Sequence, residues 1–326
     1  MKRDNSWYNC KMYKLVWLLP FILSHLSCMS VPAVDIQAHR GGRDLYPENT
    51  LVAFGHALEL GVDTLELDLA LTRDGIPVVS HDPFLSSRLV RKPDGEFLPE
   101  GERILISEIT YEDLLRYSVG EINPRDPYYY SHHSQEPVPG EKMPALADVF
   151  ELVLAADNPA TELNIEIKTF PEHPEWTVSP ESFVDAVLPV IDRYHMEERV
   201  TIQSFDWRTL SVVKELRPGM TVACLTSERI NLERGEAGPS PWLDGFDVDD
   251  FPDTVALVEA FGADIMSPDY RDIGRSDVAA AHERGIRVVP WTVNERAAMR
   301  RLIEIQVDGI ITDRPDLLIE ISSNRS

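Results

Sequence analysis

Between Val34 and the carboxyl end, short β-branched runs alternate with helical patterns eight times. The strand runs stand at Asp35–Ala38, Thr64–Leu71, Glu162–Ile167, Val200–Ser204, Thr221–Leu225, Asp264–Ser267, Arg287–Trp291 and Gly309–Thr312. Helical patterns follow at Thr50–Leu60, Leu146–Ala155, Pro180–Tyr194, Trp207–Leu216, Thr254–Phe261, Asp277–Arg284, Glu295–Ile305 and Asp316–Ile321. Asn49-Thr50 is the cap region of the first helix, and Gly61 and Gly285 stand where helices commonly stop. Strands this short and apolar have no face to give to solvent, so they must be covered by their own crossover helices. Eight such units predict an α/β protein, a (β/α)8 TIM barrel, with residues 34–326 as one domain.

Two stretches break the rhythm. Residues 84–141 are too long for a connection and carry a helix start of their own, with Thr110 as cap and Asp113 three positions on. Leaving the carboxyl end of the second strand region, this insert is expected to fold over the carboxyl-terminal face of the barrel. Its Tyr128-Tyr129-Tyr130 and His132-His133 suit a pocket lining and a surface turn equally well. Ser227–Pro252, acidic and containing Pro and Gly, is expected to be a loop.

The chain carries a formal charge of −24, or −27 without residues 1–33, which hold four basic side chains and one acidic one. So acidic a surface repels nucleic acid and anionic membrane, and neither is an expected partner. A site for an anionic substrate must then be a local exception. Of the three cysteines only Cys224 lies beyond residue 28, so no disulfide framework is expected in the body. Lys11 and Lys14 precede an apolar run from Leu15 to Leu26, too short to cross a hydrocarbon core that needs ~20 residues. Residues 1–33 therefore predict an export signal, cleaved after Ala33, and a periplasmic or secreted product without a stable transmembrane segment. Leu26-Ser27-Cys28 offers a second option, a lipid anchor on Cys28, with His25 standing where an apolar residue belongs.

In Glu66-Leu67-Asp68-Leu69 the alternation of an extended chain puts both carboxylates on one face and the leucines on the other. Two buried carboxylates repel unless a cation joins them. Asp74-Gly75 turns the chain, and Ile76 to Ser80 return as a short strand that brings His81-Asp82 to the same end. The third principal strand adds Asn164, Glu166 and Lys168 on one face. Glu166 completes a three-carboxylate seat with Glu66 and Asp68, an all-oxygen set that suits one divalent cation, Ca²⁺ or Mg²⁺, rather than zinc. At the end of the first strand, His39-Arg40-Gly41-Gly42 joins an imidazole and a guanidinium fork suited to phosphate oxygens with backbone room. Gln203 and Trp291 end later strands and face the same mouth.

These motifs resemble, in order, those of the glycerophosphodiester phosphodiesterase family. They are His39-Arg40-Gly41, Pro47-Glu48-Asn49-Thr50, Glu66-Leu67-Asp68, His81-Asp82, Glu166-Ile167-Lys168, Val289–Asn294 and Gly309–Pro315. The resemblance spans about Asp35 to Leu318 and implies a metal-dependent hydrolase that releases sn-glycerol 3-phosphate and an alcohol from small glycerophosphodiesters. It implies that Glu66, Asp68 and Glu166 hold the metal, and that His39 and His81 are the acid/base pair. It further implies that Arg40 and Lys168 contact phosphate, that Glu48 is a site carboxylate near His39, and that Trp291 packs on the glycerol carbons. Two rivals accompany this reading. One is a lysophospholipase D- or sphingomyelinase D-like enzyme that stops at a cyclic phosphate; the other is a non-catalytic exported phosphate- or metal-binding protein.

Overall fold

The computed structural model describes residues 34–156, 158–235 and 238–323. The expected leader, its cleavage point at Ala33, Cys10 and Cys28 lie outside the described residues. In chain order the strands are β1 (Asp35–Ala38), β2 (Thr64–Leu71), β3 (Pro77–Val79), β4 (Glu162–Ile167), β5 (Val200–Ser204), β6 (Thr221–Thr226), β7 (Ile265–Pro268), β8 (Arg287–Val288) and β9 (Gly309–Thr312). The helices are α1 (Leu51–Leu60), α2 (Tyr111–Leu114), α3 (Tyr128–Ser131), α4 (Leu146–Ala155), α5 (Pro180–Tyr194), α6 (Trp207–Leu216), α7 (Thr254–Phe261), α8 (Arg275–Glu283), α9 (Arg296–Glu304) and α10 (Pro315–Ser323).

Eight strands run parallel in the order β8-β7-β6-β5-β4-β2-β1-β9, and β3 folds back antiparallel on β2. The ring closes between β8 and β9. Asp308 N–H donates to Val288 O at 2.9 Å, Ile311 N–H to Pro290 O at 3.0 Å and Val293 N–H to Ile311 O at 3.0 Å. The fold is the (β/α)8 barrel that the alternation predicts. The regular part of β8 ends at Val288, short of its apolar run to Trp291, although Val289 and Trp291 N–H still donate to Met266 O and Pro268 O at 3.0 Å.

The leucines of β2 point outward as expected. Leu65, Leu67 and Leu69, with Ile165, Ile167 and Ile202, are fully buried against Phe54, Phe150, Phe183 and Trp207 of the helix layer. Each such side chain contributes ~1.5–3 kcal/mol by leaving water. Inside the ring the two halves differ. β6, β7, β8's continuation and β9 supply Ala223, Ile265, Val289 and Ile311, with Trp291 packed on them. β1, β2, β4 and β5 instead turn Gln37, Glu66, Asp68, Asn164, Glu166 and Gln203 inward.

The insert builds a small core of its own from Leu85, Val90, Leu98, Ile106, Leu114 and Val119, laid on Ala70 and Val78 of the β2–β3 hairpin. Thr110 caps α2 as expected, accepting from Asp113 N–H at 3.2 Å. The loop Ser227–Pro252 is anchored by Leu232, Leu243 and Val248, which enter the main core.

Candidate active site

β2 and β4 pair in register so that Asp68 lies opposite Glu166, and Glu166 in turn opposite Gln203 of β5. That register brings one oxygen each of Glu66, Asp68 and Glu166 within 4.8 Å of one another. All three are buried. Burial, with Asp68 and Glu166 as neighbours, raises the Glu66 pKa well above the ordinary carboxylate value. Glu166 is pushed up to about 7, first by burial and then by Asp68, against the pull of Lys168. Burial opposes ionisation of Asp68 too, yet Lys168 and Arg40 outweigh it and hold its pKa well below the usual range. An ionised Asp68 beside two acids that resist ionising is a seat that a divalent cation stabilises. The residues fit such an ion on a second count. Asp68 Oδ1, though 3.2 Å from Lys168 Nζ, makes no hydrogen bond, and a buried acceptor left unmade is costly.

Arg40 is bent into the site by the backbone. It has φ 52° and ψ 32°, a left-handed conformation uncommon for a side-chain-bearing residue. Gly41 at φ 82° follows because a Cβ there would stand 2.8 Å from Ala53 Cβ and 3.0 Å from the backbone of α1. The tight turn aims Arg40 N–H at Glu66 Oε2, 2.9 Å away. It lays the guanidinium between Glu48 (Nη1–Oε1 2.7 Å) and Asp68 (Nε–Oδ2 3.2 Å). Lys168 Nζ lies 2.6 Å from Glu166 Oε1. Both cations thus border the acidic seat, as the sequence motifs require.

His39 and His81 both lie beside Arg40. His39 Nδ1 is 2.5 Å from Asp313 Oδ1, and its Nε2 lies 4.0 Å from Glu66 Oε2. Burial, with Arg43 and Arg40 nearby, takes the His39 pKa down to about 4, although Asp313 pulls it upward. His81 Nδ1 is 2.9 Å from Asp82 Oδ1. Lost hydration, then Arg40 and Lys168, lower its pKa in the same direction. Each imidazole has a carboxylate at Nδ1, which leaves its Nε2 for chemistry.

A cleft of about 190 Å³ joins these groups, lined by His39, Arg40, His81, Glu166 and Lys168 together with Phe205, Leu225 and Trp291. Trp291 is fixed by its Nε1 donating to Ser267 O at 2.9 Å and by an edge contact with Phe205, ring centroids 5.4 Å apart. Gln203 forms part of the cleft floor, but its amide is committed: Nε2 donates to Glu66 Oε1 at 2.8 Å. Its Oε1 accepts from Asn164 Nδ2 at 3.0 Å. The polar chain continues downward, from Asn164 to Gln37 Oε1 at 2.9 Å and from Gln37 to Asp35 at 2.6 Å.

The family profile described as "Glycerophosphoryl diester phosphodiesterase family" matches residues 39–317. The chain belongs to the glycerophosphoryl diester phosphodiesterase family. A family relative, a glycerophosphodiester phosphodiesterase from Caldanaerobacter subterraneus, is 32% identical over 87% of this chain and 96% of its own. A human lysophospholipase D is 26% identical over 89% of this chain and 86% of its own. A crystal structure from Silicibacter pomeroyi, assigned to the same family, superposes with a TM-score of 0.80 at 31% identity, covering 90% of this chain and 94% of that one. The chain is therefore a phosphodiester-cleaving enzyme on the family's barrel.

Three residues join the site without having been singled out for it in the sequence. Asp313 holds His39, Arg43 (Nε–Oδ1 2.7 Å) and Asn294 (Nδ2–Oδ2 2.7 Å) on one buried carboxylate. Asn49, at φ 58°, donates to Asp68 Oδ2 at 2.9 Å. Tyr128 donates its hydroxyl to Glu48, and its ring lies beside His132, centroids 4.3 Å apart, while His132 bonds Asp44. Asn49 and Asp313 sit inside quoted motifs, so the signal was present without a partner to explain it. Tyr128 had no periodic or spacing signal, and the structure makes it a clamp on Glu48 where a pocket lining or a surface turn had been equally open. Tyr130, by contrast, is 73% exposed.

Proposed function

We propose that this enzyme hydrolyses small glycerophosphodiesters to sn-glycerol 3-phosphate and a free alcohol. It does so with one divalent cation, Mg²⁺ or Ca²⁺, held by Glu66, Asp68 and Glu166. The observation that carries the reading is the convergence of three buried carboxylates, one with an unsatisfied oxygen, between two carboxylate-held imidazoles and two cations. The bound cation supplies Lewis-acid stabilisation of charge on the phosphoryl oxygens.

The residues do the rest. Arg40 and Lys168 offset the anionic charge that repels nucleophiles from a diester and stabilise the charge that builds as attack proceeds. Glu48 fixes the Arg40 fork, and Gln203 orients Glu66. Trp291 offers its face to the glycerol carbons. His39 and His81 act as the acid/base pair: one Nε2 takes a proton from the attacking oxygen, and the other ring delivers a proton to the departing alkoxide. The net change is one P–O ester bond broken, one P–O bond formed, and one proton moved from water to the alcohol.

Export of the chain, through residues 1–33, remains part of the proposal and is read by the mass of the mature amino terminus, which also reports any acyl group on Cys28. For the chemistry, enzyme stripped by a chelator is re-supplied with each cation in turn, and products are separated. Accumulation of linear glycerol phosphate with restored turnover supports hydrolysis, whereas a cyclic phosphate end product supports the lysophospholipase D-like alternative. Glu66→Ala and His81→Ala each abolish turnover while keeping the native circular dichroism. Full activity in either variant refutes the assignment.

A further inference from the structure

A phosphodiester has two ester arms, and the structure has two pockets that share one wall. Arg40 and His81 also line a second, narrow slot with about 30 Å³ of free space. Its far wall comes from the insert: Phe84, Leu89 and Val119 line it, with Met143 just beyond the insert's end. None of the residues lining the metal-bearing cleft comes from residues 84–141. We propose that this slot seats the arm of the diester that leaves as free alcohol, and that it selects a short, uncharged alcohol. The inference rests on the hydrolase reading above and adds the identity of the alcohol.

Three observations support the assignment. First, Arg40 and His81 are, among the described residues, the two common to both linings, so a phosphate held there borders both pockets. Second, the barrel staves build the cleft that handles the constant glycerol phosphate, while a connection outside the repeating units builds the slot. Loops on a rigid barrel are where specificity is placed. Third, the charges in the slot are already matched. Glu48 is paired with Arg40 at 2.7 Å and Asp82 with Arg88 at 3.8 Å. The phenyl ring lining the slot, Phe84, already has Arg103 over it, 4.9 Å from its centroid. Among the described residues lining the slot, no unpaired carboxylate and no free phenyl face remains for a trimethylammonium or ammonium group, whose recognition uses both. Apolar walls beside Ser80 and Ser86 suit carbon with a hydroxyl.

The test compares kcat/KM for the glycerol, ethanolamine and choline esters of sn-glycerol 3-phosphate, in wild type, Leu89→Ala and Leu89→Trp. Wild type is expected to favour the glycerol ester over the choline ester by about tenfold or more. Opening the slot with Leu89→Ala is expected to raise the choline-to-glycerol ratio at least about fivefold. Filling it with Leu89→Trp is expected to lower that ratio, and either variant suffices if the other fails to fold. A ratio that neither variant moves by more than about twofold overturns the slot assignment, as does a wild-type preference for choline. Turnover of none of the three esters with Mg²⁺ or Ca²⁺ refutes the hydrolase reading itself, and this inference with it.

Discussion

Substituting Asp313→Asn tests the least visible part of the site. Three donors converge on that carboxylate: His39 Nδ1 at 2.5 Å and Arg43 Nε at 2.7 Å on Oδ1, and Asn294 Nδ2 at 2.7 Å on Oδ2. An asparagine keeps one acceptor and brings an NH₂ group. If its oxygen stays with His39 and Arg43, the NH₂ meets the Asn294 NH₂. Asn294 cannot simply turn over, because its Oδ1 accepts from Asp313 N–H at 2.9 Å. If the oxygen faces Asn294 instead, the NH₂ meets the guanidinium and forces His39 Nδ1 to become an acceptor, which places the ring proton on Nε2. Either arrangement leaves a buried donor unmatched, at ~1–3 kcal/mol, and removes charge-assisted bonds worth ~1.5–3 kcal/mol each. If about 2–4 kcal/mol of this falls on the transition state, kcat/KM drops roughly 30- to 1,000-fold. The assay is steady-state release of glycerol phosphate at saturating metal, beside circular dichroism and metal titration. A folded Asp313→Asn protein with native metal affinity and kcat/KM within threefold of wild type refutes the claim that Asp313 sets the working form of His39.

Tyr128→Phe removes the hydroxyl that holds Glu48, and through it Arg40; a loss of ~1–2 kcal/mol predicts kcat/KM down about 5- to 30-fold with little change in melting temperature. Glu166→Gln is expected to weaken metal binding, read by calorimetry, while raising the melting temperature in chelator, because the metal-free seat loses one of three mutually repelling acids. Asp35→Asn concerns the opposite end of the polar chain. Burial pushes the Asp35 pKa from 3.8 up to about 6 despite hydrogen bonds from Gln37 and Thr64. The folded state thus holds its proton more tightly than the unfolded chain, so stability from this group is complete below about pH 4 and lost as pH rises through about 6. Asparagine keeps an oxygen for Gln37 and offers an N–H to the Thr64 hydroxyl. The variant is expected to be more stable than wild type at pH 8, on the order of 2 kcal/mol, with the gain shrinking toward pH 5 in thermal melts. An equal gain at both pH values refutes the ionisation argument.

Strand alternation made much of this protein legible. In a barrel every strand is sandwiched, so a run such as Thr64–Leu71 announces its outer face by Leu65, Leu67 and Leu69 and its inner face by the acids between them. The order of the motifs along the chain points to the family as well. Pairing lay beyond that alternation. Register across β2, β4 and β5 decides that Asp68 meets Glu166 and that Gln203 serves Glu66. Ring closure decides that Asp313, far along the chain, becomes the partner of His39. The docking of the insert decides that Tyr128 reaches Glu48 and that a second pocket opens behind His81. Local sequence fixes which way a side chain points, because backbone geometry is local. Which side chain it meets depends on contacts between segments distant along the chain, and only the assembled barrel brings those together.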